Sequence, residues 1–377
     1  MKQDIFITDY NCVSPLGMDA ASNWNALLQN RSGVALNNIS EHQENFFVSK
    51  IDNEKLEKSF RQSFSSQEFT RLEKMLLLSL NPLLNRHSLT EETAFILSTT
   101  KGNISLLKNK DTVPEDVYLS VLAKKISEFF GFTTRPIVVS NACVSGVMAI
   151  SIAKTMIRSG KYKDAFIVAG DEVSEFVVSG FNSFQAIGKE PCQPYDKNRN
   201  GINLGEAAAA VYITSQPSEN EKFKFKISGD SAVNDANHIS GPSRTGEGLF
   251  ASVRNAMTEA DISPDQIDFI SAHGTATLYN DEMEAIAFNR MNLQNVPLNS
   301  MKGFYGHCLG AAGLLESIIS MESALHNTLI PSRNFKEIGV SQPLNIIKEP
   351  QTAEINYILK TASGFGGCNA ALVLEKY

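Results

Sequence analysis

The stretch RPIVVSNACVSGVMAISIAKTMIRSGKY, residues Arg135–Tyr162, contains a short apolar run, then a turn of small polar residues, then an apolar helical pattern. The stretch VPLNSMKGFYGHCLGAAGLLESIISMESAL, Val296–Leu325, has the same layout. The layout occurs only twice, about 160 residues apart, which indicates an internal duplication and not a solenoid. Small residues near the start of both helices would let the two helices pack closely in a central layer: Gly146, Ala149, Gly310, Ala311, Ala312 and Gly313.

Strand patterns alternate with helical patterns on both sides of these stretches. Strand patterns cover residues 4–13, 93–100, 135–140, 164–172, 222–233, 267–274, 296–301, 356–367 and 369–377. Helical patterns cover residues 20–30, 114–131, 145–160, 246–262, 280–291 and 308–327. Such alternation predicts an α/β protein with largely parallel sheets. We divide the chain into an N-terminal half, residues 1–221, and a C-terminal half, residues 222–377.

The composition excludes several classes of protein. With 377 residues and 42% hydrophobic content the chain is long enough for two packed halves. The net charge of −7 does not favour a nucleic-acid binder. The 5 cysteines include no CxxC pair, which argues against a disulfide framework or a zinc site and favours a reducing cytoplasm. We find no signal peptide and no apolar run of the roughly 18 residues that a membrane span needs.

Cys143 stands at the turn of the first duplicated stretch. If a helix begins near this residue, free backbone N–H groups and the positive end of the helix dipole would lower the pKa of its thiol from about 8.5 toward neutrality. A small apolar filler of a tight turn is the other interpretation, and the cysteine alone does not decide between them.

Two of the 6 histidines, His273 and His307, follow strand patterns inside glycine-containing segments. One such histidine is more often structural, but two of them and a cysteine in a similar position favour nucleophilic catalysis. Lys302 lies in the nearly uncharged turn NSMKGFYGH, where it is either a surface lysine or a bridging group. We expect Glu284, on the helix after His273, to be its partner. We see no regular metal-ligand spacing and predict no metal.

The segment GFGG near the C-terminus predicts a tight turn between two strands. A glycine-rich backbone can also approach a substrate oxygen closely enough to donate an N–H group. Both interpretations are compatible with the sequence.

Taken in order, NACVSG, HGTATLYND, NSMKGFYGHCLGAAG and GFGGCNAAL resemble the motifs of the elongating β-ketoacyl-acyl-carrier-protein synthases of the thiolase superfamily. The segment QPYDKNRNGINLGEAAAAVYI is similar to a further motif of that family. The resemblance runs over essentially the whole chain. It implies a thiolase-like fold, in which two βαβαβαββ halves form a five-layer αβαβα sandwich.

The resemblance also implies roles for individual residues. Cys143 would take an acyl chain from an acyl carrier protein, and His273 and His307 would hold the carbonyl of a malonyl thioester during decarboxylation. Lys302 would organise the histidines, paired with Glu284. The backbone N–H groups of Cys143 and Phe365 would form the oxyanion hole, and Phe365 would gate the site. The remaining implied groups contact the phosphopantetheine arm of the carrier: Thr275 and Thr277.

The resemblance implies partners but no bound cofactor, since the substrates arrive on the phosphopantetheine of an acyl carrier protein. It predicts a cytoplasmic homodimer, or a heterodimer with a related ketosynthase or chain-length-factor subunit. Fatty-acid elongation and a specialised polyketide or aryl-polyene pathway both fit, and the short chain favours the second. Arg71, Lys74, Lys124 and Lys125 are candidates for carrier docking, although such charges usually belong to a solvated face.

The same residues distinguish several alternative functions. A chain-length factor keeps this fold but typically lacks the cysteine, whereas Cys143 and the other three polar groups are present here. A thiolase would use a second cysteine as base, and Cys368 directly follows GFGG. An initiating synthase uses Cys-His-Asn, whereas this chain offers a second histidine. A non-catalytic carrier-binding module would show no selective alkylation of Cys143 by iodoacetamide. The chain departs from the family at Ser140, Asn141 and Val144 around the cysteine.

Overall fold

The computed structural model describes residues 3–39, 45–65, 68–108, 112–219, 221–235, 237 and 241–377. The first half contains β1 (Phe6–Val13), α1 (Ala20–Leu28), β2 (Val34–Asn37), β3 (Phe46–Ser49), α2 (Asn53–Ser63), α3 (Arg71–Leu84), β4 (Thr93–Ser98), α4 (Leu119–Phe130), β5 (Ile137–Val139), α5 (Ser145–Arg158), β6 (Asp164–Asp171), α6 (Glu175–Ser183), β7 (Leu204–Gly205) and β8 (Ala207–Thr214).

The second half contains β9 (Phe225–Asn234), α7 (Glu247–Ala260), β10 (Phe269–Ser271), α8 (Leu278–Arg290), β11 (Pro297–Asn299), α9 (Lys302–Tyr305), α10 (Ala312–Leu325), β12 (Thr328–Leu329), β13 (Asn345–Ile346), β14 (Gln351–Thr352), β15 (Tyr357–Gly364) and β16 (Cys368–Lys376). The boundary proposed between residues 221 and 222 lies between β8 and β9, and it stays a prediction.

The sheet repeats one strand order in both halves. The order is β1-β8-β6-β4-β5 in the first half and β9-β16-β15-β10-β11 in the second, where β13 adds to the edge. In each half the first two pairings of this order are antiparallel and the next two are parallel, so the expectation of largely parallel sheets is wrong. A short antiparallel contact between β1 and β9 joins the series into one 11-stranded sheet. The strand order confirms that the fold is duplicated.

The helices form three layers around these strands. α5 and α10 contact each other and the strands of both halves, so they lie in the middle. α3 covers the outer face of β1, β6 and β8, and α7 covers β9 and β16. Separate apolar clusters fill the middle, the outer first-half and the outer second-half interfaces. The predicted five-layer arrangement is therefore confirmed.

The contact between α5 and α10 depends on a missing side chain. A Cβ atom on Gly146 would lie 2.6 Å from the backbone nitrogen of Leu314 and 3.0 Å from the carbonyl oxygen of Gly310. Backbone atoms cannot retreat from such a contact, so only glycine fits at this position. The close approach brings the N-terminal ends of the two matching helices together, and these ends carry the cysteine and histidine turns.

Two core elements lie where the sequence patterns predicted none. The strand β8 contains the run AAAAVYIT, and alanine has a low preference for strands, but β8 is sandwiched between β1 and β6. The helix α3 has a regular capping box, in which Thr70 and Glu73 satisfy each other's backbone N–H groups. Its apolar run then covers the outer face of the sheet.

All five cysteines are free and buried. Among the described residues, no helix combines the length and apolar character required to cross a bilayer.

Candidate active site

Cys143 occupies a sharp turn between β5 and α5. Ala142, directly before it, has a φ of +43°, an uncommon value for a residue with a side chain. The helix α5 begins two residues later, at Ser145, whose hydroxyl accepts a hydrogen bond from the backbone N–H of Asn141 at 2.8 Å. The turn therefore places Cys143 directly before the first turn of α5, but the backbone N–H groups of Val144 and Ser145 donate to the carbonyls of Asn141 and Ala142.

Two histidines meet the cysteine from the second half of the chain. The Nε2 atom of His307 lies 2.9 Å from the Sγ atom of Cys143. The ring centre of His273 is 5.2 Å from that of His307, with the rings nearly perpendicular. One nitrogen from each ring and the sulfur all lie within 4.8 Å of one another. The structure therefore brings together the three groups that sequence analysis selected.

Burial dominates the protonation of Cys143. Loss of water raises the pKa of the thiol to about 12, although Lys302 and a hydrogen bond from the Phe365 backbone both favour the thiolate. The expectation that the helix terminus brings this pKa toward neutrality is therefore wrong. The resting cysteine is a neutral thiol.

Both imidazoles are neutral as well. Burial lowers the pKa of His273 and of His307 well below the usual value, and the positive charges of Lys302 and Lys360 lower both further. A neutral imidazole has one nitrogen that accepts and one that donates. His307 can thus accept the proton of Cys143 across the 2.9 Å contact. Its Nδ1 atom has no partner among the described residues.

Lys302 lies beside the histidines, but its ionic partner is not the expected one. Its ammonium group is 2.9 Å from Oε1 of Glu316, on α10, and it also donates to the backbone carbonyl of His273. The predicted pair of Lys302 with Glu284 is wrong, because Glu316 faces the lysine while the Glu284 oxygens accept from other groups. The positive charges of Lys302 and Lys360 lower the pKa of Glu316 despite its burial.

Glu284 instead fixes the turn that carries His273. Its two oxygens accept the backbone N–H groups of His273 at 2.8 Å and Gly274 at 2.7 Å. The hydroxyl of Tyr195 donates to the same carboxylate at 2.9 Å. A Cβ atom on Gly274 would lie 2.5 Å from the Cβ atom of Ser300, and its φ is +43°, so the turn requires glycine.

Tyr195 and Asp281 extend this support. The backbone N–H of Tyr195 donates to Asp281 at 2.7 Å, and Tyr195 has a φ of +64°, which is unusual for a bulky residue. Asp281 also accepts the backbone N–H of Thr275 at 3.0 Å. Burial raises the pKa of Asp281 to about 7, even though these bonds favour the carboxylate. The strained tyrosine is held at both ends, by Asp281 and by Glu284.

A cavity of about 710 Å³ leads from the surface to the three reactive groups. Thr275 and Thr277 line it, and their hydroxyls are 2.7 Å apart. Phe365 also lines it, and its ring stacks on that of Phe181 with centres 5.4 Å apart. Tyr279, 75% exposed, stands at the mouth. The residues predicted to contact a pantetheine arm thus share one channel.

Cys143, His273 and His307 also have the side-chain types and the spacing of a cation site. A thiolate and two imidazoles form a ligand set that zinc accepts. The ammonium groups of Lys302 and Lys360 put positive charge beside them, and this charge opposes a second cation. We therefore interpret these groups as proton-transfer groups, and the absence of a metal requirement stays a prediction.

The four basic docking candidates already have acidic neighbours. Arg71 pairs with the buried Glu206, Lys74 with Glu57, and Lys125 with Glu73. The fourth candidate, Lys124, is 3.6 Å from Glu128 one turn along α4. Three of these pairs brace α3 against its neighbours, which is a structural role.

Sequence reasoning missed three residues that support the site: Glu316, Lys360 and Tyr195. Glu316 and Lys360 are fully or almost fully buried, yet each lies in an apolar pattern that predicts only a core helix or strand. A charged residue inside such a pattern is the signal that could have identified them. Tyr195 lay within a motif that the sequence analysis noted, without a role.

The chain is similar to known proteins over its whole length. Residues 2–218 match the family described as "Beta-ketoacyl synthase, N-terminal domain" and residues 225–336 match "Beta-ketoacyl synthase, C-terminal domain". The 3-oxoacyl-[acyl-carrier-protein] synthase 2 of Coxiella burnetii is 28% identical over 100% of this chain and 99% of its own. The putative mitochondrial 3-oxoacyl-[acyl-carrier-protein] synthase of Schizosaccharomyces pombe is 26% identical over 99% of both chains.

The fold is also similar to that of a solved ketosynthase structure. The ketosynthase ApeO from Xenorhabdus doucetiae, solved in complex with its chain length factor ApeC, superimposes with a TM-score of 0.85. The match covers 100% of this chain and 98% of the other at 23% identity. The thiolase-like fold is thus shared with ketosynthases.

Proposed function

The chain belongs to the β-ketoacyl synthase family and is an acyl-transferring condensing enzyme, and on that premise we propose that Cys143 is its nucleophile and malonyl-acyl-carrier protein its extender. The observation that carries the proposal is the 2.9 Å contact between the Cys143 sulfur and His307 Nε2, at the inner end of the channel. A neutral imidazole in that position is a base for a neutral thiol.

In the first half-reaction, Cys143 attacks the carbonyl carbon of an acyl thioester. His307 accepts the thiol proton as the new C–S bond forms, and the proton then passes to the carrier thiol that leaves. The backbone N–H groups of Cys143 and Phe365 stabilise the oxyanion of the tetrahedral intermediate. Two such donors matter because losing one typically costs about 3 kcal/mol.

In the second half-reaction, a malonyl thioester loses carbon dioxide. The C–C bond between the malonyl α-carbon and its carboxylate breaks. The electron pair of that bond forms an enolate, and N–H groups of His273 and His307 stabilise the enolate oxygen. The carbanion then attacks the acyl carbon, a C–C bond forms, the C–S bond to Cys143 breaks, and the departing thiolate takes up one proton from solvent to restore the resting thiol. The product is a 3-oxoacyl chain on the carrier, and its formation balances without a redox partner.

Supporting residues act around this chemistry. Lys302 orients His273 through the backbone carbonyl that it holds. Glu284 supports the same turn from the opposite side. Thr275 and Thr277 hydrogen-bond the pantetheine arm, and the Phe365 ring separates the acyl and malonyl steps. No cofactor is needed other than the phosphopantetheine of the carrier.

We further propose an acyl carrier protein and a second ketosynthase-type subunit as partners, identical or related. β5 is the last strand of the sheet, and its residues Ile137 and Val138 are only half-buried, which supports pairing at this edge. Light scattering coupled to size-exclusion chromatography tests this, and a monomer at micromolar concentration would contradict it.

We propose a specialised polyketide or aryl-polyene pathway over primary fatty-acid elongation, because the chain is short and departs from the family around Cys143. A cytoplasmic location remains part of the proposal, although one relative is named as mitochondrial. Supplying malonyl-carrier protein with saturated and polyunsaturated acyl carriers, and weighing the products as intact carriers, tests the pathway. Preference for saturated chains would contradict it.

The alternative function is that of a chain-length factor or another non-catalytic partner. An intact Cys143 in contact with His307 disfavours this alternative, because a subunit without chemistry has no use for the pair. It would be favoured if iodoacetamide failed to label Cys143 selectively.

The test of the proposed mechanism separates its half-reactions. In the variant Cys143→Gln, acyl transfer is impossible, while the histidine donors to the malonyl carbonyl remain. We expect the wild type to condense and the variant only to release carbon dioxide from malonyl-carrier protein. Condensation by the variant, or no decarboxylation by either protein, would refute the assigned roles.

A further inference from the structure

A second lysine lies beneath the active site and has no role in the mechanism above. Lys360, in the middle of β15, is completely buried. Its ammonium group pairs with Oε2 of Glu316, whose other oxygen pairs with Lys302. One carboxylate therefore bridges two buried lysines, and the cluster, defined as Lys302, Glu316 and Lys360, carries a net charge of +1.

The two lysines hold three consecutive backbone carbonyls. Lys360 Nζ lies 3.1 Å from the carbonyl oxygen of Ser271 and 3.5 Å from that of Ala272. Lys302 Nζ donates to the next carbonyl, that of His273. In the parallel pairing of β10 with β15, Ser271 lies beside Lys360, so the lysine meets β10 where the strand ends and the catalytic turn begins.

Burying an unbalanced positive charge is costly, which makes its retention informative. A lysine and a glutamate in a dry interior pay a large desolvation cost, and only good pairing offsets it. A second lysine adds further cost without a second carboxylate. An apolar residue at position 360 would fill β15 as well, since its neighbours Leu359 and Ala362 are apolar core residues. Stability alone does not account for this lysine.

We propose that Lys360 is a positioning residue: it fixes the end of β10 that carries His273 and, with Lys302, keeps positive charge beside both imidazoles so that they stay unprotonated. The inference rests on the proposed role of His307 as the base for Cys143. An imidazolium there could not accept the thiol proton, and acyl transfer would stop.

Six charged and titratable groups around the two rings come from five elements. They are Cys143 before α5, Lys302 on α9, Glu316 on α10, Lys360 on β15, and Glu284 and Asp281 on α8. The carboxylates of Glu284 and Asp281 accept backbone N–H groups, which partly neutralise their charge. The positive charges of Lys302 and Lys360 both lower the pKa of His273 and of His307. Lys360 therefore acts on the rings in the same direction as Lys302.

The test is the pH dependence of acyl transfer to Cys143, measured as acyl-enzyme formation by intact-protein mass spectrometry. In Lys360→Met the cluster loses its net positive charge, so the imidazoles protonate more readily. The pH below which acyl transfer declines, which is the acid limb of the profile, should therefore rise by ~1 pH unit. In Lys360→Met/Glu316→Gln the net charge is again +1, because only Lys302 remains, and the limb should return toward the wild-type position.

A third variant separates charge from position. Lys360→Gln keeps a hydrogen-bond donor near the carbonyls of Ser271 and Ala272 but carries no charge, so its acid limb should follow that of Lys360→Met. Circular dichroism and the melting temperature identify any variant that does not fold. If Lys360→Met does not fold, Lys360→Gln replaces it in the comparison.

The outcomes distinguish this inference from the proposed function. If wild type forms no acyl-enzyme at any pH, the proposed function fails. If wild type is active and the profiles of wild type and both single variants superimpose, Lys360 has no electrostatic role and the inference is overturned. A uniform loss of rate at every pH, not reversed in the double variant, would reduce Lys360 to a structural group and would also overturn it.

Discussion

Cys143 and His307 form a neutral pair in the resting enzyme, and the reactivity of the cysteine follows from that pairing. Burial raises the pKa of the thiol, and burial with two nearby lysines lowers the pKa of the imidazole. The thiolate is therefore scarce until a substrate arrives and the proton moves to His307. Activation belongs to the contact between the two side chains and not to the helix terminus alone.

The first prediction concerns alkylation of the resting enzyme. With the pKa of Cys143 at about 12, the thiolate fraction should grow about tenfold for each pH unit between pH 7 and pH 9. Iodoacetamide labelling, mapped to the peptide that contains Cys143, should rise by the same factor. A rate that levels off below pH 8 would indicate a thiol of low pKa and would contradict this account.

The second prediction concerns Glu284, whose two oxygens accept the backbone N–H groups of His273 and Gly274. Glu284→Gln turns one acceptor into a donor that faces an N–H group. The free energy of unfolding should fall by about 1–3 kcal/mol, because one buried N–H group loses its partner. Urea unfolding measures the change, with Glu128→Gln on the exposed face of α4 as the control.

An unchanged free energy of unfolding in Glu284→Gln would mean that the turn is held by other bonds. Activity offers a second readout, since His273 should be displaced and condensation should slow. A variant as stable and as active as Glu128→Gln would show that Glu284 is dispensable.

At this scale the sequence predicted which side chains come together but not the ionic partner of Lys302. Four of the predicted site residues follow strand patterns, and residues in that position lie at the same edge of a sheet. They are Cys143, His273, Lys302 and His307. The sequence predicts Glu284 as the partner of Lys302 because Glu284 lies on the helix after His273, and the structure places Glu316 there instead. Glu316 is a charged residue inside an apolar helical pattern, which marks it as unusual, but the pattern does not show which turn it faces.

At the scale of elements, the packing of α5 against α10 determines where the catalytic turns meet. Each helix begins at a turn with a reactive residue, and the two helices contact each other where Gly146 faces Gly310 and Leu314. The sequence predicted this contact from small residues in both copies of the duplicated stretch. It could not predict β8, because its four alanines are typical of helices and only its two neighbouring strands make it a strand.

The third prediction tests this contact. In Gly146→Ala the new Cβ atom would lie 2.6 Å from a backbone nitrogen of α10, so the helices must separate. The free energy of unfolding should fall by about 1–3 kcal/mol, the usual cost of overpacking, and acyl transfer should slow because Cys143 and His307 move apart.

Gly180→Ala is the matched control, since a Cβ atom there meets nothing within 4 Å and the residue lies in α6. It should keep wild-type activity and unfold at the same or slightly higher denaturant concentration. Equal stability of the two variants would show that α5 and α10 tolerate a wider spacing.

At the scale of the whole molecule, the two halves share one core. The middle apolar cluster includes Val147 from the first half and Leu314 and Ile318 from the second. The strands of both halves join through β1 and β9. Neither half can bury its inner face without the other, although the strand order of each is complete.

The fourth prediction follows from this shared core. Thermal unfolding, followed by differential scanning calorimetry, should show one transition with a calorimetric enthalpy close to the van't Hoff enthalpy of the unfolding unit. Added acyl carrier protein should not split the transition. Two resolved transitions would mean that the halves are independent domains.

The central claim is that Cys143 carries the acyl chain, and one measurement tests it most directly. Wild-type protein is incubated with an acyl-acyl-carrier protein without malonyl carrier, then digested and analysed by mass spectrometry. We predict one acyl group per chain, on the peptide that contains Cys143, sensitive to hydroxylamine and absent from His307→Gln within the time that saturates wild type. An unmodified Cys143, or an acyl group on Cys192, Cys308 or Cys368 instead, would contradict the account.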